Sequence, residues 1–138
     1  MTAEQNKKLL EGIFAEMSRG NTGAMREAMA EDFRWTFPGK GVWSGSWGPK
    51  SVALDELLRP LMAQFADYRS QADLILADGD RVVVQAHATA TTRRGDAYGQ
   101  TYCFVFRVAG QRLVEVVEYC DTALAERVLD PPGRISLS

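Results

Sequence analysis

The chain contains one histidine, His87, in a segment where Val83, Gln85, His87, Thr89 and Thr91 alternate with Val82, Val84, Ala86, Ala88 and Ala90. A carboxylate, Glu118, interrupts a second apolar segment that runs from Leu113 to Cys120. If both side chains face one apolar cavity, they form an acid/base pair. Desolvation raises the carboxyl pKa and a cationic imidazole lowers it, so the two groups can divide acid and base roles near neutrality. At strand spacing the face mates of Glu118 are Val114, Val116 and Cys120, so an inward carboxylate there is costly unless it is paired or functional. The alternative is a surface glutamate, with Val114 and Val116 at a dimer contact. The face that His87 shares with Gln85 and Thr89 must meet solvent, a dimer surface or a cavity, and the apolar face opposite can itself be the core.

Around this pair the sequence supplies many large rings: Trp35, Phe37, Trp43, Trp47, Tyr102, Phe104 and Phe106. Filling a small core is their default role, and those near an open end would line a pocket for a flat apolar ligand. Trp35, Phe37, Trp43, Gln85, Tyr102 and Phe104 are the expected pocket residues, with His87 and Glu118 as the catalytic candidates. The Tyr102 hydroxyl needs a partner if buried. Asp121 stands where a helix begins, and N-capping accounts for it. Cys103 and Cys120 lie singly in strand-like runs, as buried, reduced and inert thiols do. One histidine and two dispersed cysteines make a transition-metal site unexpected, and no cofactor is expected. Gly41, Gly45 and Gly48 lack the lysine and strand-to-helix context of a phosphate loop.

The elements that must position these residues are readable from period and punctuation. Leu9, Leu10, Ile13, Phe14 and Met17 recur at helical spacing after a Thr2/Gln5 capping box, and Gly20 ends the helix. A second helix begins after Thr22, with Met25, Ala28 and Met29 on its inner face. Phe33, Trp35 and Phe37 alternate as a strand, and 38–49 is glycine-rich and irregular. Pro49 opens a third helix carrying Val52, Leu57, Leu58, Leu61, Met62 and Phe65, which Pro60 should kink or split near Leu58. Four strands follow, at 68–76, 82–92, 98–108 and 113–120, with Asp78-Gly79 a strong hairpin signal. A short helix at 123–129 ends at Pro131-Pro132-Gly133. Three helices followed by hairpins imply an α+β fold, in which a curved, mainly antiparallel sheet wraps the helices as a cone with an internal pocket.

A length of 138 residues, with 46% hydrophobic and 25% charged content, fits one domain over 1–130 and a C-terminal tail at 131–138. A net charge of −2 with scattered basic residues argues against nucleic acid. The polar N-terminus and the absence of a long apolar run predict a cytoplasmic protein with no membrane contact.

Several stretches resemble the SnoaL-like and ketosteroid-isomerase-like branch of the nuclear transport factor two-like superfamily. These are Trp35-Thr36-Phe37-Pro38-Gly39, Trp43-Ser44-Gly45, residues 61–67, residues 78–84, and Glu118-Tyr119-Cys120-Asp121-Thr122. The resemblance spans nearly the whole chain and implies the cone fold and a homodimer. It is specific for fold and weak for activity, because this fold hosts isomerases, cyclases, dehydratases, hydrolases and proteins without chemistry. The ketosteroid isomerase base would stand at Phe37 and its oxyanion-hole acid at Phe104, so that mechanism is not expected. In limonene epoxide hydrolases the strand arginine and aspartate correspond to Gln85 and His87, and the last-strand aspartate to Glu118. Trp35 and Phe37 stand where the water-holding tyrosine and asparagine would be. SnoaL-like cyclases use a pocket carboxylate, and scytalone-type dehydratases use pocket histidines. The resulting expectation is a cofactor-free acid/base enzyme of isomerase, cyclase, lyase or hydrolase type acting on a small hydrophobic oxygenated compound, or a non-catalytic ligand-binding or dimerisation module. The apolar set Leu113, Val117 and Tyr119 would make the dimer face.

Overall fold

The structure is a computed structural model, and it describes residues 2–132. Helix α1 spans Ala3–Ser18 and begins where the capping box predicts. The Gln5 backbone N–H donates to Thr2 Oγ1 at 3.1 Å, and the Thr2 N–H donates to Gln5 Oε1 at 2.9 Å. Its apolar stripe, Leu10, Ile13, Phe14 and Met17, is buried against the sheet. Helix α2 is short, Gly23–Ala28, because Met29 already belongs to strand β1, Met29–Phe37. Strand β2 is Gly45–Trp47.

The third helical stretch is continuous, and its irregularity ends at Leu58, where Pro60 is expected to kink or split it. It runs as α3 (Lys50–Val52), a π-helical turn (Ala53–Leu58) and α4 (Arg59–Met62). Pro60 has no N–H to donate, and its ring crowds the carbonyl one turn back. The chain widens here instead: the Arg59 N–H donates to Leu54 O, five residues back.

Strands β3 (Phe65–Asp78), β4 (Arg81–Thr92), β5 (Thr101–Ala109) and β6 (Arg112–Cys120) follow, then helix α5 (Thr122–Val128), capped by Asp121, whose Oδ1 accepts from the Leu124 N–H at 3.1 Å. The six strands form one curved sheet in the order β2-β1-β6-β5-β4-β3, and the N-terminal helix α1 packs across β3 and β4. Neighbouring strands are antiparallel except β1 and β6, which run parallel and make the sheet mixed. The expected start of β5 at Tyr98 moves to Thr101. Residues 98–100 still lie beside β4, with Tyr98 N–H donating to Ala90 O and Ala88 N–H to Gln100 O.

Two of the sheet's four register shifts bear on the residues singled out in the sequence. In β6, Val108 faces Leu113 while Arg107 faces Glu115, so Val114 is an extra residue. Leu113 and Val116 therefore both point inward and are fully buried, and Leu113 does not join Val117 and Tyr119 on the outer face. In β3, Asp73 is the extra residue between Ala72, opposite Ala86, and Leu74, opposite Gln85. Among the described residues no helix is long and apolar enough to cross a membrane. Most of the expected C-terminal tail, from 133 on, lies outside the described residues.

Candidate functional site

Strand register brings Glu118 into the interior. It sits on β6 directly opposite Phe104 of β5, and Trp35 of β1 comes alongside because its own register partner is Val116. The Trp35 indole Nε1–H donates to Glu118 Oε1 at 3.1 Å, a fully interior bond. Glu118 is 8% exposed and is the one buried charged residue among those described. Burial pushes its pKa up from the usual 4.5 to about 8, against the smaller opposing pull of hydrogen bonds from Trp35 and Cys120. The Cys120 thiol is itself pushed up to about 12, first by burial and then by the nearby Glu118 charge. A thiol so shifted is a poor nucleophile.

Two further polar groups stand near the carboxyl. Tyr68 of β3 and Tyr102 of β5 share a hydrogen bond at 2.8 Å between their hydroxyls, which gives Tyr102 the partner it needs. Desolvation raises both phenols, and the Glu118 charge raises them further, so they stay protonated donors throughout the neutral range. A two-phenol chain has one proton committed to the pair and one free to turn toward a ligand oxygen. Tyr98 lies nearby and is held by Gln100, whose Nε2 donates to Tyr98 Oη at 2.8 Å and to Asp121 O at 3.0 Å. The Gln100 Oε1 accepts the N–H groups of Thr101 at 2.9 Å and Asp121 at 2.8 Å. This fully buried amide thus ties the start of β5 to the start of α5 and fixes Tyr98 between them.

These residues enclose a cavity of about 180 Å³. The sheet side supplies rings, Trp35, Phe37, Tyr102 and Phe104, with Trp43 from the β1–β2 connection. Trp35 and Phe104 meet edge-on at 6.3 Å, and Tyr102 stacks on Phe104 at 4.8 Å. The helical side supplies Met17, Met25 and Met62, with Met29 at the start of β1. Rings of fixed geometry on one wall and unbranched thioethers on the other suit a flat apolar guest whose outline can vary. The Trp43 indole N–H is buried without a hydrogen-bond partner among the described residues.

A model of the SnoaL-like domain family matches residues 10–116. The chain belongs to that family. No curated protein matches it. Among solved structures, this SnoaL-like domain is similar to an NTF2-like protein of unknown function from Burkholderia pseudomallei, at 23% identity over 90% of this chain and 96% of that one, with a TM-score of 0.76. It is also similar to a candidate SnoaL-like polyketide cyclase from Jannaschia sp. CCS1, at 20% identity over 96% of each chain, TM-score 0.76. A third is TerC co-crystallised with polyporic acid, at 18% identity over 89% of this chain and 96% of that one, TM-score 0.73. At these identities the likeness is one of fold, the NTF2-like cone.

The fold of this SnoaL-like domain separates the expected catalytic pair. Of the residues singled out in the sequence, Trp35, Phe37, Trp43, Tyr102, Phe104 and Glu118 share the cavity, and His87 and Gln85 do not. Val82, Val84, Ala86, Ala88 and Ala90 form the buried face of β4, so the alternating polar set lies on the convex side of the sheet. There His87 Nδ1 lies 2.9 Å from both carboxylate oxygens of Asp73, the extra residue of β3, with both side chains about half exposed. The apolar face won because the sheet's concave side packs on α1, which leaves the polar face to solvent. Tyr68, Tyr98 and Gln100 escaped the sequence reading. Tyr68 and Tyr98 stood at predicted strand ends, where periodicity assigns faces least well, and a buried glutamine carries no local signature. Among the described residues, no three His, Cys, Asp or Glu side chains cluster as metal ligands do.

Proposed function

We propose that this SnoaL-like protein is an acid/base enzyme of isomerase, cyclase or lyase type, in which Glu118 moves a proton on a small hydrophobic oxygenated compound. One observation carries the reading: a single carboxyl, without a cationic partner among the described residues, is buried in the wall of an apolar cavity, and that burial pushes its pKa up to about 8. Such a group is mostly protonated at pH 7 and donates readily, and its ionised fraction is a stronger base than an ordinary carboxylate. Trp35 holds one carboxyl oxygen, which orients the other toward the guest. The free proton of the Tyr68–Tyr102 pair is the donor for oxyanion charge that develops on a carbonyl during enolisation or aldol closure.

The test is a thermal-shift screen of aromatic ketones and polyketide-like phenols, followed by turnover assays on the compounds that bind. Glu118→Gln keeps an acceptor for Trp35 and loses the transferable proton. Turnover should fall by about 10²–10⁴ while binding persists, and the wild-type inflection near pH 8 should vanish from the rate profile. Unchanged turnover in the variant would rule the reading out. A non-catalytic binding module is favoured by one specific feature, the displacement of His87 to the convex face, which leaves Glu118 without an imidazole. Binders without any wild-type turnover would support the module.

We further propose a homodimer through the convex face. Leu76, Val83, Val105 and Val117 stand in one cross-strand row, and Leu74, Gln85, Cys103 and Tyr119 in the next. Leu74, Leu76 and Tyr119 are 45%, 56% and 52% exposed, an apolar band that a second copy would cover. Sedimentation should show a dimer that Leu76→Lys converts to monomer, and a monomeric wild type at high micromolar concentration would refute it.

A further inference from the structure

The charged groups of the cavity wall are unevenly placed. Glu118 is the deep one, and the others are two arginines, Arg26 and Arg59, both solvent-exposed and therefore at the mouth. Arg59 is already neutralised by Asp55, one helical turn back. The Arg26 guanidinium makes no ion pair or hydrogen bond with the described residues. It lies back over Gly23, where an added Cβ would come within 2.7 Å of Nη2, so the glycine makes the space it occupies. Thr22 also lines the mouth, on the same side of α2 at a spacing of i, i+4, and its hydroxyl makes no capping bond. No carboxylate other than Glu118 lines the cavity. An apolar chamber therefore opens past a planar cation and a hydroxyl, neither with a hydrogen-bond or ion-pair partner among the described residues.

We propose that the ligand of this cavity is an aromatic compound bearing a carboxylate at the end left in the mouth. Arg26 and Thr22 receive the carboxylate while the ring body lies against Trp35, Phe37 and Phe104. This rests on the reading of the cavity as the substrate site and adds the substrate's polarity: oxygenated and neutral at the Glu118 end, anionic at the solvent end. The guanidinium fork fits a carboxylate in a bidentate manner, and its exposure lets it swing to the guest. Burial pushes the Glu118 pKa up to about 8, which lessens its repulsion of the anion at pH 7.

The experiment uses the intact protein and a matched pair of probes, 2-naphthoate and 2-naphthamide, titrated calorimetrically at pH 7 and low ionic strength. The carboxylate should bind roughly threefold to tenfold tighter than the amide, the range expected of one partly exposed charge pair. Added salt should erode that preference. Arg26→Gln should abolish it, Arg26→Lys should retain part of it, and Arg59→Gln should leave it largely intact. Equal or tighter binding of the amide, an undiminished preference in Arg26→Gln, or no binding of the carboxylate overturns the inference. Glu118→Gln keeps the preference, so the two readings fail separately. Glu118-dependent turnover without acid preference sinks this inference alone, and acid preference without Glu118-dependent turnover sinks the enzyme reading alone.

Discussion

Two carboxylates on opposite faces of one sheet have opposite surroundings. Glu118 on the concave face is buried among rings and has an indole N–H for a partner. Asp73 on the convex face is about half exposed and has the chain's one imidazole. The imidazole thus went to the carboxylate that water already solvates, while the desolvated one has an indole N–H for its partner and burial pushes its pKa up. An acid/base group needs a poised proton more than it needs a strong ion pair, and removal from water is enough to poise it. The contrast also warns against reading a His and a Glu on strands of one sheet as a pair: β5 lies between β4 and β6, and membership of a sheet says nothing about face.

The contrast should be largest in the pH dependence of stability. The folded-state pKa of Glu118 lies above its unfolded value, so the unfolded chain releases this proton first as pH rises. The stability linked to the group is fully present below about 4.5 and is lost as pH rises to about 8. The whole loss is on the order of 5 kcal/mol at 1.36 kcal/mol per pKa unit. Denaturant melts from pH 5 to pH 8 should therefore show wild type weakening and Glu118→Gln nearly flat, with the variant the more stable at pH 8. Asp73→Asn should leave the wild-type slope in place. A wild-type curve without that slope would break the comparison.

Packing should separate the faces next. Phe104→Ala empties the concave wall opposite Glu118 and should cost about 3–5 kcal/mol in urea unfolding. On the convex face, Tyr119→Ala should cost under about 1 kcal/mol when measured on the monomeric Leu76→Lys background, because its ring is 52% exposed. Equal costs would mean that the chamber is not rigidly packed. Trp35→Phe sharpens the electrostatic side. It removes the N–H that favours the ionised carboxylate, so the Glu118 pKa should move further upward. Infrared titration of the carboxyl stretch reads that shift, and a downward movement would contradict the assigned bond.

The smallest effect belongs to His87→Ala, an exposed pair whose loss should cost about 1 kcal/mol or less and leave turnover unchanged. A large loss of turnover would return His87 to the site by some route other than direct contact with Glu118.

Much of this molecule is local chemistry and was legible as such. The Thr2/Gln5 capping box, the Asp78-Gly79 turn, the Asp121 cap and the order of helices before hairpins each depend on residues within a few positions of one another. The apolar company of Glu118 was equally local, and it marked an inward carboxyl there as costly while leaving a surface position open. The face of His87 was not local. An alternating strand states that two sets of side chains diverge, and which set is covered depends on where α1 packs, far away in the chain. The extra residues Val114 and Asp73 are invisible for a similar reason, because a bulge is a mismatch between two strands and no single strand contains it. Tyr68 meeting Tyr102, Gln100 bridging β5 to α5, and Arg26 standing unpaired at the mouth are likewise properties of the closed cone. Sequence by itself determined the elements, their order and the cost of a carboxyl among apolar neighbours, since those follow from short-range sterics, hydrogen bonding and solvation. The tertiary structure decided which partner each polar group received, because long-range packing selects one face of every strand for the interior.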